Sequence, residues 1–225
     1  MKKMKIINLT PDSFREESRA LAKDLPRLMQ GADIYDLGAV STRPGADPVS
    51  PETEWERLRP ALDYVKSLGE GRPAISIDTS RASIVKRSYE LIGPFIVNDV
   101  LCGEDPLMLP TVRKLGLSYV AMHHRGTPRT MDTLCDYPQG VVNAVLEFFR
   151  DFALKADGID WILDPGFGFA KTDAQNMELL QNLRTFKQFG RPVLVGISHK
   201  RFTRGRSSEL EALAESLGAD IIRKH

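Results

Sequence analysis

Trp161-Ile162-Leu163-Asp164-Pro165-Gly166-Phe167-Gly168-Phe169-Ala170-Lys171-Thr172 is a short apolar run that stops at a carboxylate and passes into a glycine-rich, aromatic turn. Pro165 cannot donate to a sheet ladder and disfavours a helical conformation at Asp164, so the run reads as a buried strand with the carboxylate at its carboxyl end. Gly166 and Gly168 permit a tight turn that presents Phe167 and Phe169. A carboxylate backed by a rigid aromatic turn suits a flat, nitrogen-rich ligand. Taken alone, Asp164 reads equally well as a cap for the turn or helix that follows. Recurrence of the same design along the chain decides between the two.

The design does recur. Met4 to Leu9 is an apolar run that ends in Asn8-Leu9-Thr10-Pro11-Asp12-Ser13-Phe14, and leucines at helical spacing follow from Glu17 to Gln30. Ile34 to Leu37 delivers Gly38-Ala39-Val40-Ser41-Thr42-Arg43-Pro44-Gly45, a loop with hydroxyls and an arginine that can hold an anion. Ser50-Pro51 with Glu52 and Glu54 reads as an N-cap, a first-turn proline and dipole-matched acids, ahead of the stripe Trp55, Leu58, Leu62 and Val65. Ala74 to Ile77 ends at Asp78-Thr79, and Phe95 to Val97 ends at Asn98-Asp99. Ser118 to Ala121 runs into the basic segment Met122-His123-His124-Arg125-Gly126-Thr127-Pro128-Arg129. Pro192 to Gly196 precedes Ser198-His199-Lys200, and Ala219 to Ile222 precedes Arg223-Lys224-His225.

Eight apolar runs, most followed by a helical pattern, recur with a period of about 28 residues. Strand and helix in alternation imply a parallel sheet, and eight units imply a closed (β/α)8 TIM barrel with its chemistry at the carboxyl ends of the strands. An open doubly wound sheet is the competing architecture, but no Gly-x-Gly-x-x-Gly turn follows the first strand. One domain spanning residues 1–225 is expected.

Composition narrows the partners. The 42% hydrophobic content supports a sizeable core, and a formal charge of +1 gives no global attraction to nucleic acid or a membrane surface. Recognition is therefore local and directed at small molecules. Cys102 and Cys135 have neither CxxC spacing nor a nearby histidine pattern, so a zinc site or disulfide framework is not expected, and a cytoplasmic location is. The apolar run after Lys2-Lys3 is broken at once by Asn8, Thr10, Pro11 and Asp12, and no membrane span is expected.

Taken in order, Asn8-Leu9-Thr10-Pro11-Asp12-Ser13-Phe14, Ser41-Thr42-Arg43-Pro44-Gly45, Ile77-Asp78-Thr79, Val97-Asn98-Asp99-Val100, Met122-His123-His124-Arg125-Gly126-Thr127-Pro128, Asp164-Pro165-Gly166-Phe167-Gly168-Phe169, Lys200 and Arg223-Lys224-His225 resemble the dihydropteroate synthase family. The similarity covers nearly the whole chain. It implies a (β/α)8 barrel that condenses 6-hydroxymethyl-7,8-dihydropterin pyrophosphate with 4-aminobenzoate, releasing pyrophosphate in folate biosynthesis. It also implies a homodimer and a target for sulfonamides. A pterin presents adjacent N–H donors and carbonyl and ring-nitrogen acceptors, so it needs carboxylates, an amide and a cation around a dry slot. The resemblance assigns that edge to Asp78, Asn98, Asp164 and Lys200, with Met122 and Phe169 as apolar walls. It assigns the pyrophosphate to Thr42, Arg43, Arg223 and His225, a Mg2+ ion to Asn8, and the 4-aminobenzoate side to Pro44, Phe169 and Arg201. Lys200, Arg223, His225 and Asp78 carry the catalytic expectation, with Arg223 serving the pyrophosphate separately from the pterin.

The chain departs from the family at several places. The loop after Phe14 and the segment from Lys200 to Arg223 are short, Val40 stands where a glutamate is usual, Arg201 stands where a serine is usual, and the helix after the eighth strand is missing. These departures sustain two alternatives, a non-catalytic pterin-binding paralogue and a methyltetrahydrofolate-dependent methyltransferase. Other polar residues have plainer readings: Asp99 as a turn residue, and His199, Arg204 and Arg206 as solvated surface. His123-His124 is a poor metal pair, because neighbours on a strand face opposite ways, and it is expected to shape its loop.

Overall fold

Each of the eight apolar runs forms a parallel strand. In the computed structural model, which describes residues 1–10, 24–40, 49–127 and 130–225, the strands are β1 (Lys2–Asn8), β2 (Ile34–Gly38), β3 (Ala74–Asp78), β4 (Ile96–Asp99), β5 (Ser118–Met122), β6 (Trp161–Asp164), β7 (Leu194–Val195) and β8 (Ile221–Lys224). They run in the order β6-β5-β4-β3-β2-β1-β8-β7. A single bridge between Leu163 and Val193, with the Leu163 amide donating to the Pro192 carbonyl at 2.9 Å, brings β6 and β7 together and all but closes the cylinder. The expected barrel is what forms.

Helices lie between the strands: α1 (described at 24–28), α2 (Pro51–Ser67), α3 (Ala82–Ile92), α4 (Met108–Leu115), α5 (Val141–Lys155), α6 (Asp173–Gln181) and α7 (Ser207–Ser216). Helix α2 starts as its sequence dictates. Ser50 Oγ accepts from the Thr53 amide at 3.1 Å, Pro51 occupies the first turn, and Leu58, Leu62 and Val65 turn inward. Helix α6 opens with a capping box between Thr172 and Gln175. Thr79 and Ser80 offer hydroxyls just ahead of helix α3, but its N-cap is Arg81, whose side chain makes no capping bond. After helix α6 the chain continues in a 3-10 segment, Leu183–Phe189, which buries Leu183 and Phe186. Among the described residues no helix is long and apolar enough to cross a membrane.

The core has two parts. The larger lies between strands and helices and includes Leu37, Leu62, Ile77, Val97, Phe149, Leu163 and Phe186. The smaller fills the barrel itself with Met4, Ile34, Val120, Ile162, Leu194 and Ile221. This plug fixes the site by parity. Side chains alternate along a strand, so the residues two further on from Ile34, Ile96, Val120, Ile162 and Ile221 share the inner face. Those residues are Asp36, Asn98, Met122, Asp164 and Arg223, a polar layer resting on an apolar floor.

Candidate active site

Arg223 joins three strands of that layer. Its Nε donates to Asp36 Oδ2 at 2.7 Å, and one terminal nitrogen reaches Asp36 Oδ2 at 2.6 Å and Asp78 Oδ2 at 2.7 Å. Asn98 Nδ2 donates to the same Asp36 oxygen at 3.0 Å, while the other Asp36 oxygen is buried without a hydrogen-bond partner. Burial opposes the charge on Arg223, but Asp36 and Asp78 outweigh it and hold the guanidinium above its ordinary value. Burial raises the Asp78 carboxyl to about 7, against the pull of Arg223 and with a further push from Asp36, Asp99 and Glu54. Asp36 is the residue that sequence reasoning missed. A carboxylate inside the otherwise apolar run Ile34-Tyr35-Asp36-Leu37 was the available signal, because a fully buried charge requires a partner.

Asp164 and Lys200 form the second half of the layer. Asp164 ends β6, and its Oδ1 accepts from the Gly166 amide at 2.8 Å. Burial raises its carboxyl, opposed by that bond and by Lys200, Arg223 and Lys171. Lys200 donates to the Phe167 carbonyl and lies 4.7 Å over the Phe169 ring. Burial lowers the ammonium to about 8, with Asp164 holding it up. Gly168 makes this approach possible, because a Cβ there would lie 3.0 Å from Lys200 Cδ. Gly166 is more constrained still: its φ is +70°, and a Cβ would fall 1.9 Å from the His123 carbonyl oxygen. Sequence reasoning also missed Lys171, buried behind this turn and bonded to His123.

Met122 is buried at the end of β5, in register with Asp164. Asp99, as expected, is a turn residue: its carboxylate accepts from the amides of Leu101 and Gly103. His123 is buried, with its Nδ1 3.0 Å from Lys171 Nζ. Among the described residues no group of three or more His, Cys, Asp or Glu side chains is placed to hold a metal ion. Asn8, at the end of β1 beside Gly38, offers one amide oxygen. With Asp36 and Asp78 occupied by Arg223, this donor set fits a magnesium ion completed by water and phosphate oxygens, and does not fit a protein cage.

His225 follows β8 at the rim, its ring centroid 5.9 Å from that of His199. Arg201 is 80% exposed and pairs with Asp173 at 3.4 Å, and Arg204 reaches the same carboxylate at 3.8 Å. Thr42, Arg43 and Pro44 lie outside the described residues. What frames their loop is visible: Arg57 donates to the Ala39 carbonyl at 3.2 Å and Arg81 to the Val49 carbonyl at 2.5 Å. Arg81 is in turn bound to Glu54, which also accepts from Thr79 Oγ1 at 2.5 Å. Glu54 is a first-turn acid of α2, as expected, and has a further role. It is buried and ties α2 to the residue after Asp78.

A family model described as pterin binding enzyme matches residues 4–223. Dihydropteroate synthase from Haemophilus influenzae is 38% identical over 210 residues, covering 88% of this chain and 74% of its own. The enzyme from Escherichia coli is 35% identical over 243 residues, covering 99% and 85%. The chain belongs to the dihydropteroate synthase family. Solved structures agree. Dihydropteroate synthase of Xanthomonas albilineans with 4-aminobenzoic acid superposes with a TM-score of 0.87 at 33% identity, covering 100% of this chain and 87% of the other. The Anaplasma phagocytophilum enzyme with bound 6-hydroxymethylpterin-monophosphate gives 0.87 at 28% identity, covering 100% and 93%. The methyltransferase alternative receives no support from these relatives, which are synthases along nearly the whole of this chain.

Proposed function

We propose that the chain is a dihydropteroate synthase, joining 6-hydroxymethyl-7,8-dihydropterin pyrophosphate to 4-aminobenzoate with release of pyrophosphate in folate biosynthesis. The observation that carries this reading is the convergence of Asp78, Asn98, Asp164 and Lys200 in the barrel mouth, above an apolar floor and beside Met122 and Phe169. Asp164 accepts from the pterin 2-amino group and N3–H, Asp78 and Asn98 complete the edge, and Lys200 donates to the carbonyl or a ring nitrogen. The pyrophosphate then points outward to His225 and to Thr42 and Arg43.

The reaction breaks the bond between the pterin methylene and the pyrophosphate oxygen, which departs with the electron pair. The arylamine nitrogen forms the new bond to the methylene carbon and passes its proton to solvent. The cations at the rim stabilise the leaving group. No strong base is needed, because an arylamine is neutral and nucleophilic near pH 7. Mg2+, held by Asn8, supplies charge neutralisation on the pyrophosphate when bound. The 4-aminobenzoate side comprises Phe169, Pro44 and Arg201.

A binding-only paralogue is the second reading, favoured by Arg201 at the second-substrate rim, where it pairs with Asp173. The resemblance carries the homodimer. The cytoplasmic placement accords with Cys102 and Cys135, which are both free thiols. Purified protein given both organic substrates and Mg2+ is expected to form dihydropteroate, and chelation is expected to stop it. Binding of the pterin ester without product would assign the chain to the second reading.

Asp78 makes stability depend on pH with a defined sign. Its folded value of about 7 lies above the ordinary 3.8, so its contribution is full below about pH 4 and is lost as pH rises to about 7. Asp78→Asn, which retains an acceptor for Arg223, is expected to melt higher than the wild type at pH 8, by a few kcal/mol at most, while binding pterin poorly. The gain should vanish toward pH 4. A gain that is the same at both pH values would show that ionisation of Asp78 is not the cause.

A further inference from the structure

Lys171 is 4% exposed, and its ammonium is fully engaged. Nζ lies 2.8 Å from the Gly166 carbonyl oxygen, 2.9 Å from that of Phe169 and 3.0 Å from His123 Nδ1. As an ammonium, Lys171 uses all three of its N–H bonds in this arrangement, and His123 then presents Nδ1 as an acceptor with its proton on Nε2. Burial and then the Lys171 charge hold His123 well below its ordinary value, which keeps that ring neutral. Burial also lowers Lys171, and Asp164 opposes it.

The two buried lysines grip one turn from opposite sides. Lys200 takes the Phe167 carbonyl and the Phe169 ring on the ligand side, while Lys171 takes the carbonyls of Gly166 and Phe169 on the inner side. Asn176 Oδ1 accepts from the Gly168 amide at 2.7 Å, and the Tyr137 hydroxyl donates to the Ala170 carbonyl at 3.0 Å. Without Lys171, the Phe169 carbonyl would lose its donor and the Gly166 carbonyl would keep only the Phe169 amide at 3.2 Å, so the turn would have to rearrange.

We propose that Lys171 is a positioning residue of the pterin subsite: it sets the turn that aims Phe169 and Lys200 at the ligand, and it places a positive charge behind Asp164. The inference rests on the pterin reading of the site. The charged groups around Asp164 are Lys200, Arg223 and Lys171; Asp164, Lys200 and Arg125 surround Lys171, with His123 in contact and the Cys135 thiol nearby. Loss of Lys171 removes one of the three cations that favour the Asp164 carboxylate. Asp164 then takes up its proton at higher pH, and a protonated carboxyl cannot accept from both pterin donors.

The test is calorimetric affinity for the dihydropterin pyrophosphate from about pH 5 to about pH 9. Lys171→Met is expected to bind at least about tenfold more weakly near pH 7.5, with its acid limb moved to higher pH. Lys171→Gln, which keeps two N–H donors without charge, should regain part of the affinity but retain the moved limb. Tyr137→Phe, which frees the Ala170 carbonyl without altering charge, should leave the limb in place. An acid limb unchanged in both Lys171 variants, or an affinity within about twofold of wild type for Lys171→Met, overturns the assignment. Failure of both variants to fold also overturns it, by making the lysine a core residue. Absence of pterin binding by the wild type would instead remove the reading of the site itself.

Discussion

Asp164→Asn and Lys200→Ala should each abolish measurable pterin binding. Asp164 is buried at a strand end with one oxygen fixed by the Gly166 amide, so its acceptor capacity faces the ligand in one orientation. An asparagine there presents an amino group where two donors arrive, or keeps a single neutral acceptor. Breaking a buried, charge-assisted contact of this kind costs about 3–5 kcal/mol, or roughly two to three orders of magnitude in affinity. Lys200 adds a pH signature. Its value of about 8 means that wild-type affinity should fall as pH rises through about 8. Calorimetry reads both effects. Losses below about tenfold would place the pterin elsewhere.

Arg223→Met should damage both stability and pterin affinity. The resemblance assigns Arg223 to the pyrophosphate, and on that basis alone its removal would spare pterin binding. The geometry ties it to the pterin side, because Arg223 is the cation that meets Asp36 and Asp78 across β2, β3 and β8. Removing one partner from a buried ion pair typically costs about 3–5 kcal/mol, since the remaining charge is left uncompensated. Asp78, already raised to about 7 with Arg223 present, should then hold its proton at higher pH and accept poorly from the ligand. Urea unfolding should show a larger deficit at pH 8 than at pH 5, and Asp36→Asn in the same chain should recover part of it. A variant that melts like the wild type and loses only pyrophosphate affinity would restore separate subsites.

Strand-end residues were legible because their signals are local. Pro165 fixes Asp164 at a boundary, and apolar runs closed by Asp78 or Asn98 announce themselves by pattern. Asp36 shares the same inner face, yet it sits in the interior of β2, and only the period of two counted from Ile34 would have exposed it. Glu54 was read only as a first-turn acid because its other partners, Thr79 and Arg81, are 25 and 27 residues away. Lys171 was invisible for another reason: whether a lysine after an aromatic turn faces water or the interior depends on where the carbonyls of that turn point. Gly166, Gly168 and Ala170 adopt left-handed φ values that set those directions, with φ of 70°, 81° and 50°. The loop at Thr42, Arg43 and Pro44 was read as anion-holding from its hydroxyls and arginine, and assigned to the pyrophosphate by resemblance.

Pyrophosphate release, measured with Mg2+, the dihydropterin pyrophosphate and 4-aminobenzoate and with each component omitted in turn, tests the central claim most directly. Release that requires both organic substrates is the predicted result, and it would show that Arg201 and Val40 are compatible with coupling. Release that ignores 4-aminobenzoate, or none at all while the pterin ester still binds, would contradict it.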